Sequence, residues 1–288
     1  MNYNIGAHIN KNKTILNTLN IIKKNNCNVL QLFVSNPRSI NLTNIDKYIK
    51  DSTDIVNYCN NNNIKLVIHS PYTINLAKEF KNDKRDIDIS DCYWIKLILN
   101  ELYISDLINS IGCIVHVGKY TNLDINIALN NMKISIKYII SIIIEKKINS
   151  KLIIETPAGQ GTELLSNIDD FIKFYNSFSK IEKKHLGICI DTAHIWSSGY
   201  DLDEAYNKFL IKNKNDILVV HLNNSKKDKK SHVDTHEELN KGKIKYDDII
   251  KFVKNIKNNP LFVLEKPSDN LEEEIKNINY YILDNEKK

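Results

Sequence analysis

Short apolar runs rich in Ile, Val and Leu recur along this chain, separated by longer stretches in which apolar and polar positions mix. The runs are Tyr3–Ala7, Val29–Val34, Lys65–His69, Cys113–Val117, Leu152–Glu155, Leu186–Asp191, Ile217–Leu222 and Leu261–Glu265. Their length and near-continuous apolarity predict strands buried on both faces, as in a parallel sheet. Between them the apolar positions fall at helical spacing. Ile95, Ile98, Leu99 and Leu102 make one stripe; Ile125, Leu129, Met132, Ile136, Ile139 and Ile143 make another. A last helix, from about Asn270 to Leu283, follows the eighth strand. Strands alternating with helices in this way predict an α/β chain closed into a (β/α)8 barrel with its helices outside. A doubly wound open sheet is the alternative, because alternation alone does not prove closure. No linker, internal repeat or low-complexity block divides the sequence, so residues 1–288 read as one domain.

Composition narrows the picture only a little. Hydrophobic residues make up 42% of the chain and charged residues 26%, which fits a globular protein with a full core and excludes a disordered one. The five cysteines (Cys27, Cys59, Cys92, Cys113, Cys189) show no metal-type or redox-type pairing. They read as reduced, mostly buried thiols of an intracellular protein. The N-terminal residues lack a basic segment followed by an apolar one, so a secreted protein is not expected. The expected compartment is the cytoplasm, or the nucleus or virion of a eukaryotic or viral source. The longest unbroken aliphatic segment, around Tyr138 to Ile144, is too short to span a bilayer, and no membrane partner is expected. A net charge of +5 is compatible with nucleic acid without demanding it.

The ends of the strands change the picture. Active sites of such barrels lie at the carboxyl ends of their strands. Here those ends give His69, His116, Glu155, Asp191, His221 and Glu265, and the following loops add His194, Asp234 and His236. Any one of these has an ordinary explanation: a strand-end Asp caps the next helix, and a lone His is more often a satisfied core residue. Nine metal-competent groups on one rim are harder to dismiss, because four neighbouring carboxylates would repel one another unless cations offset them. Imidazole and carboxylate donors without a thiolate suit zinc or manganese. Three divalent ions would leave the four-carboxylate site about +2, and six added charges would take the chain from +5 to +11. Such a site attracts phosphate.

Five motifs in order carry a resemblance: His69-Ser-Pro-Tyr-Thr-Ile-Asn-Leu76, Glu155-Thr-Pro-Ala-Gly-Gln-Gly161, Gly187-Ile-Cys-Ile-Asp-Thr-Ala-His194, His221-Leu-Asn-Asn-Ser-Lys226 and Val233-Asp-Thr-His236. The chain resembles the endonuclease IV family of apurinic/apyrimidinic endonucleases over almost its whole length. That resemblance implies a xylose isomerase-like TIM barrel holding three Zn2+, with Mn2+ an option at one or more sites. It implies cleavage of duplex DNA on the 5′ side of an abasic site, leaving a 3′-hydroxyl and a 5′-deoxyribose phosphate. One ion is expected on His69, His116 and Glu155. A second is expected on Glu155, Asp191, His221 and Glu265, and a third on His194, Asp234 and His236. Glu155, Asp191 and Glu265 are the expected catalytic residues. Asn36, Arg38 and Tyr72 match loop positions that hold the kinked duplex, and Lys226, in the basic run 225–230, is the best candidate for a phosphate contact. A monomer suits an enzyme that clamps a duplex.

Several positions depart from the family pattern. Asn224 stands where an acidic residue is usual and is expected to loosen support for His221. Thr73 replaces a larger aliphatic, Lys119 a common Ser, and Glu237 a common His; Lys119 is a further candidate for a phosphate contact. His8 is expected to orient ligands without being one, and His185 and His232 to be surface or loop residues. Two other readings compete. A sugar isomerase or epimerase on the same barrel would need only Glu155, Asp191, His221 and Glu265. A non-catalytic DNA-binding relative would have lost a ligand position, and none is lost here. The Gly159-Gln-Gly161 turn lacks the spacing and Lys-Ser/Thr of a phosphate loop, so no nucleotide cofactor is expected.

Overall fold

The computed structural model describes residues 3–82 and 85–283. Eight parallel strands close into a barrel: β1 (Asn4–His8), β2 (Val29–Leu32), β3 (Lys65–His69), β4 (Gly112–His116), β5 (Lys151–Glu155), β6 (Leu186–Asp191), β7 (Ile217–His221) and β8 (Leu261–Leu264). Each strand pairs with the next in sequence, and β8 returns to β1 through Asn4–Leu261 to Ala7–Leu264. Closure excludes the open doubly wound sheet. Strand positions are as expected, with ends displaced by one or two residues: β1 begins at Asn4 and runs on to His8, and β2 stops at Leu32.

The barrel interior is filled by Val29, Val67, Ile114, Ile153, Cys189, Val219, Leu261 and Val263. Because side chains alternate along a strand, the residue two positions later faces the same way, one layer higher. From these plugs that step leads to Gln31, His69, His116, Glu155, Asp191, His221 and Glu265. The polar ring is therefore dictated by the same alternation that fills the interior.

Outside lie α1 (Ile15–Lys24), α2 (Asp46–Asn62), α3 (Tyr93–Leu107), α4 (Ile125–Lys146), α5 (Ile168–Tyr175), α6 (Lys180–Lys183), α7 (Thr192–Ser197), α8 (Leu202–Leu210), α9 (Tyr246–Asn255) and α10 (Leu271–Leu283). Side chains cap several of them. Thr14 accepts from Asn17 N–H, Asp124 from Asn126 and Ile127, and Ser179 forms a reciprocal box with Glu182. On α3, Ile95, Ile98 and Leu102 are fully buried, and Leu99 packs half-buried at the edge of the stripe. On α4, Met132, Ile136, Ile139 and Ile143 are buried and Leu129 is partly so, but Ile125, in the first turn, is 51% exposed. The whole of α4, unlike the short aliphatic segment within it, is long and apolar enough by composition to cross a membrane; 44% of that stretch is buried inside this structure. All five cysteines are buried and free.

Candidate metal centre

Three groups of donors converge at the carboxyl end of the barrel. His69, His116 and Glu155 form one; Glu155, Asp191, His221 and Glu265 form another; Asp191, His194 and His236 form a third. Asp234 joins this last group, its Oδ1 lying 3.2 Å from His194 Nε2 and 3.3 Å from His236 Nε2. All nine expected donors thus meet at one rim. Asp191 is more central than expected: its Oδ2 lies 3.6 Å from both His221 Nδ1 and His236 Nε2. Cys189 also comes within reach of Glu155 and His221 from below. Burial pushes its thiol up to about 12, which keeps it protonated and a poor ligand.

The spacings fit an ion better than direct pairing. Glu155 Oε2 is 3.4 Å from His69 Nε2 and 3.4 Å from His116 Nε2, too long for good hydrogen bonds. Two donors about 2.05 Å from a tetrahedral zinc stand about 3.3–3.4 Å apart. Glu155 Oε2 and His194 Nε2 are, moreover, buried and have no hydrogen-bond partner. An ion would supply what both atoms lack, so the residues fit a metal.

The imidazoles are set for ligation by their other nitrogen. His69 Nδ1 lies 2.8 Å from the Ser70 carbonyl, and His194 Nδ1 lies 2.8 Å from the Thr156 carbonyl. A carbonyl only accepts, so Nδ1 carries a proton and Nε2 is the nitrogen left for an ion, free to bind once any second proton has gone. In His221 the roles reverse: Nε2 donates to Gln31 Oε1 (2.8 Å), and Nδ1 faces Glu155 and Asp191. Gln31 also donates to Glu265 Oε1 (2.8 Å) and lies 2.9 Å from His8 Nδ1. His8 therefore acts on the donor ring through Gln31, and burial lowers its pKa to about 4.

Asn223 is the other support that sequence reading missed. Its amide donates to Asp191 Oδ2 (2.6 Å) and Glu265 Oε2 (2.8 Å), and its Oδ1 accepts from Glu265 N–H (3.2 Å). Asn224 does not touch His221. It is fully buried and binds loop backbone instead, donating to the Leu239 and Ile244 carbonyls (2.7 and 2.8 Å). The expectation that Asn224 loosens His221 is thus overturned: adjacent residues point opposite ways, and Asn223 takes the inward face. Asp191 does cap a helix: its Oδ1 accepts from His194 N–H (2.9 Å) while Oδ2 faces the site. One side chain thus both caps the helix and faces the other donors. A two-residue ladder pairs Ser225 with His236 and Asn224 with Glu237, which swings His236 over the barrel mouth.

Electrostatics follow from this crowding. Burial opposes protonation of His194, but Asp191, Asp234 and Glu155 outweigh it and hold its pKa well above 6.5. His221 is raised likewise: against burial stand the carboxylates of Glu265 and Glu155. Burial favours the neutral carboxyl of Glu265, yet His221 and His236 bring it down to about 2. Burial is likewise overcome at Glu155, by His116 and His221, and at Asp234, by His194 and His236; both are held well below the usual carboxylate range. Burial, partly opposed by Glu155, holds His116 below 6.5.

Around the donors stand the other expected residues. Tyr72 is 59% exposed, its ring edge-on to His69 (5.6 Å) and His116 (5.8 Å). Its N–H donates to the Pro37 carbonyl (2.9 Å), joining it to the loop of exposed Asn36 and Arg38. Thr73 donates to the Ser39 carbonyl (2.9 Å), so the departure there anchors the same loop. Behind that loop, Ser35 bonds the fully buried Glu101 of α3, whose carboxyl burial raises to about 7. Lys226 is 52% exposed, with Nζ 4.0 Å from Glu237, which also pairs with Lys266. Lys119 Nζ lies 3.5 Å from Glu163, so it is partly engaged within the protein. His185 is half-buried, and His232 packs on Gly159.

Comparison with known proteins agrees with this architecture. The profile of the xylose isomerase-like TIM barrel family matches residues 19–281. A "Putative endonuclease 4" of Acanthamoeba polyphaga mimivirus is 30% identical over 93% of this chain and 87% of its own length. A "Probable endonuclease 4" of Metamycoplasma arthritidis is 35% identical, but the match covers 54% of this chain and the chain spans only 55% of that relative. The crystal structure of endonuclease IV from Thermus thermophilus superposes with a TM-score of 0.76 at 18% identity, covering 98% of this chain and 99% of that one, a likeness of fold. By profile, full-length relative and fold together, the chain belongs to the xylose isomerase-like TIM barrel family and, within it, to the endonuclease IV family of apurinic/apyrimidinic endonucleases.

Proposed function

We propose that this protein is a zinc-dependent endonuclease of DNA repair that hydrolyses the phosphodiester bond 5′ to an abasic site in duplex DNA. Products are a 3′-hydroxyl and a 5′-deoxyribose phosphate, as in base excision repair. The observation that carries this reading is the convergence of nine donors, with spacings of 3.2–3.6 Å across the gaps expected of ions. Three divalent ions would acidify a water and offset charge on the scissile phosphate. His69, His116 and Glu155 would hold one ion; Glu155, Asp191, His221 and Glu265 a second; His194, Asp234 and His236 a third. The endonuclease 4 names of the relatives support the same reaction class.

The chain's own groups do the rest. Gln31 and Asn223 fix Glu265 and His221 against rotation. Tyr72 offers an exposed ring at the mouth, and the exposed Asn36 and Arg38 of the adjoining loop would meet the duplex beside it. An abasic nucleotide lacks stacking and is extruded at lower cost than a normal one, which gives selectivity. Lys226 contacts backbone phosphate. A sugar isomerase reading would leave His69, His116, His194, Asp234 and His236 without a purpose.

Incision of a duplex carrying one tetrahydrofuran abasic analogue, with elemental analysis of the same preparation, tests the proposal. Cutting 5′ to the lesion with three ions per chain is expected. Binding without cutting would favour a non-catalytic module, and one or two ions without cutting a sugar isomerase.

A further inference from the structure

Two of the nine donors, Asp234 and His236, belong to the long connection after β7, and Asp234 is not fixed by strand alternation. Its side chain is 30% exposed, the most open among the donors in these ion pairs. What holds it comes from a different connection. The Asp234 N–H donates to the side-chain Oε1 of Gln160 (2.8 Å), in the loop after β5.

That loop is itself braced. The N–H groups of Gly159 and Gln160 donate to Glu163 Oε2 (3.1 and 3.0 Å). Glu163 is 4% exposed, and its other oxygen pairs with Lys119 Nζ across an isolated backbone bridge between the same two residues. Gly159 has φ +81°, and a Cβ there would lie 2.6 Å from His232 Nδ1, so the two loops touch where only glycine fits. Ser197 Oγ donates to the Val233 carbonyl (2.9 Å) and fixes the same segment from the other side. A loop bonded only for general stability could be tied anywhere along its length. Here the tie is made at the donor residue itself.

We propose that Gln160 is a positioning residue for the third ion, acting through Asp234, with Glu163 and Lys119 as its brace. This rests on the trinuclear reading above. Without the Gln160 oxygen the Asp234 N–H loses its partner and only the Ser197 side of the segment stays tied, so the Asp234 carboxylate is held less firmly beside His194 and His236. Loss of such an outer support costs metal affinity about 10–100-fold.

The test uses the full chain, loaded with zinc and equilibrated against chelators of graded strength, with bound zinc measured by elemental analysis. Gln160→Leu is expected to lose one of three ions at about 10–100-fold weaker affinity, the other two staying at wild-type affinity. Gln160→Asn, one methylene too short, is expected to match it, whereas Gln160→Glu keeps an acceptor oxygen and retains all three. Should Gln160→Leu not fold, Gln160→Asn carries the test. Three ions at wild-type affinity in a folded Gln160→Leu or Gln160→Asn variant would overturn the proposal. Fewer than three ions in the wild-type protein would instead overturn the trinuclear reading, and this proposal with it.

Discussion

Loading the metal-free protein with zinc at pH 7 is expected to expel about two protons from His194 and His221. Without metal both are held well above 6.5, so each carries a second proton. His116, held below 6.5, carries none to lose, and the carboxyls of Glu155, Asp234 and Glu265 are already ionised. An imidazole must be neutral to ligate, and His221 and His194 belong to different donor groups, so each of those two ions releases one proton on binding. While the imidazoles stay protonated, the apparent affinity for each of these two ions rises about 10-fold per pH unit, about 1.4 kcal/mol, and for the two together about 100-fold. Stability of the metal-free protein runs the other way. The raised histidines contribute most below 6.5, and that contribution fades as pH rises through their folded values. Glu265, lowered from 4.5 to about 2, contributes above 4.5, and its contribution is lost as pH falls toward 2. These pairs therefore hold the metal-free chain best between 4.5 and 6.5, whereas metal binds best above that window. Calorimetric zinc titrations in two buffers of different ionisation heat count the protons directly. A count near zero would refute the pairing of imidazolium with carboxylate described here.

Other perturbations give separate readouts. Glu155→Ala and Glu265→Gln are each expected to abolish incision of an abasic duplex by removing a shared or terminal ligand; near-normal rates in both would remove the carboxylates from the chemistry. Arg38→Ala is expected to weaken binding of abasic duplex in a fluorescence titration with metal content unchanged, and equal affinity would take Arg38 off the DNA surface. Gly6→Ala would place a Cβ 1.8 Å from the Val29 carbonyl oxygen, backbone against backbone in the closing strands. A loss of about 1–3 kcal/mol or more is expected in urea unfolding, and an unchanged midpoint would contradict the close approach of β1 and β2.

Legibility in the sequence followed physical directness. Apolar runs ending in His, Glu or Asp exposed six donors, because a strand aims its inward face at the rim every second residue. The same step from Val29 reaches Gln31, and from His221 it reaches Asn223. A neutral amide is inconspicuous beside titratable donors, although the alternation points to both. Asn224 sits one residue out of phase with that step, so it binds loop backbone and not His221. Gln160 could not be read at all, since its contact with Asp234 depends on loop shapes set by Gly159 and Glu163. The ladder that brings His236 over the mouth is only two residues long, too short to leave a pattern.

Asp191 leaves one more consequence. Its one oxygen starts the turn that carries His194, while its other faces Asn223, His221 and His236. A substitution there does not subtract one donor from an otherwise intact set: it also frees the turn presenting the imidazole three residues on. The centre should therefore decay as a block, and variants of this chain that keep some ions after losing Asp191 should be scarce.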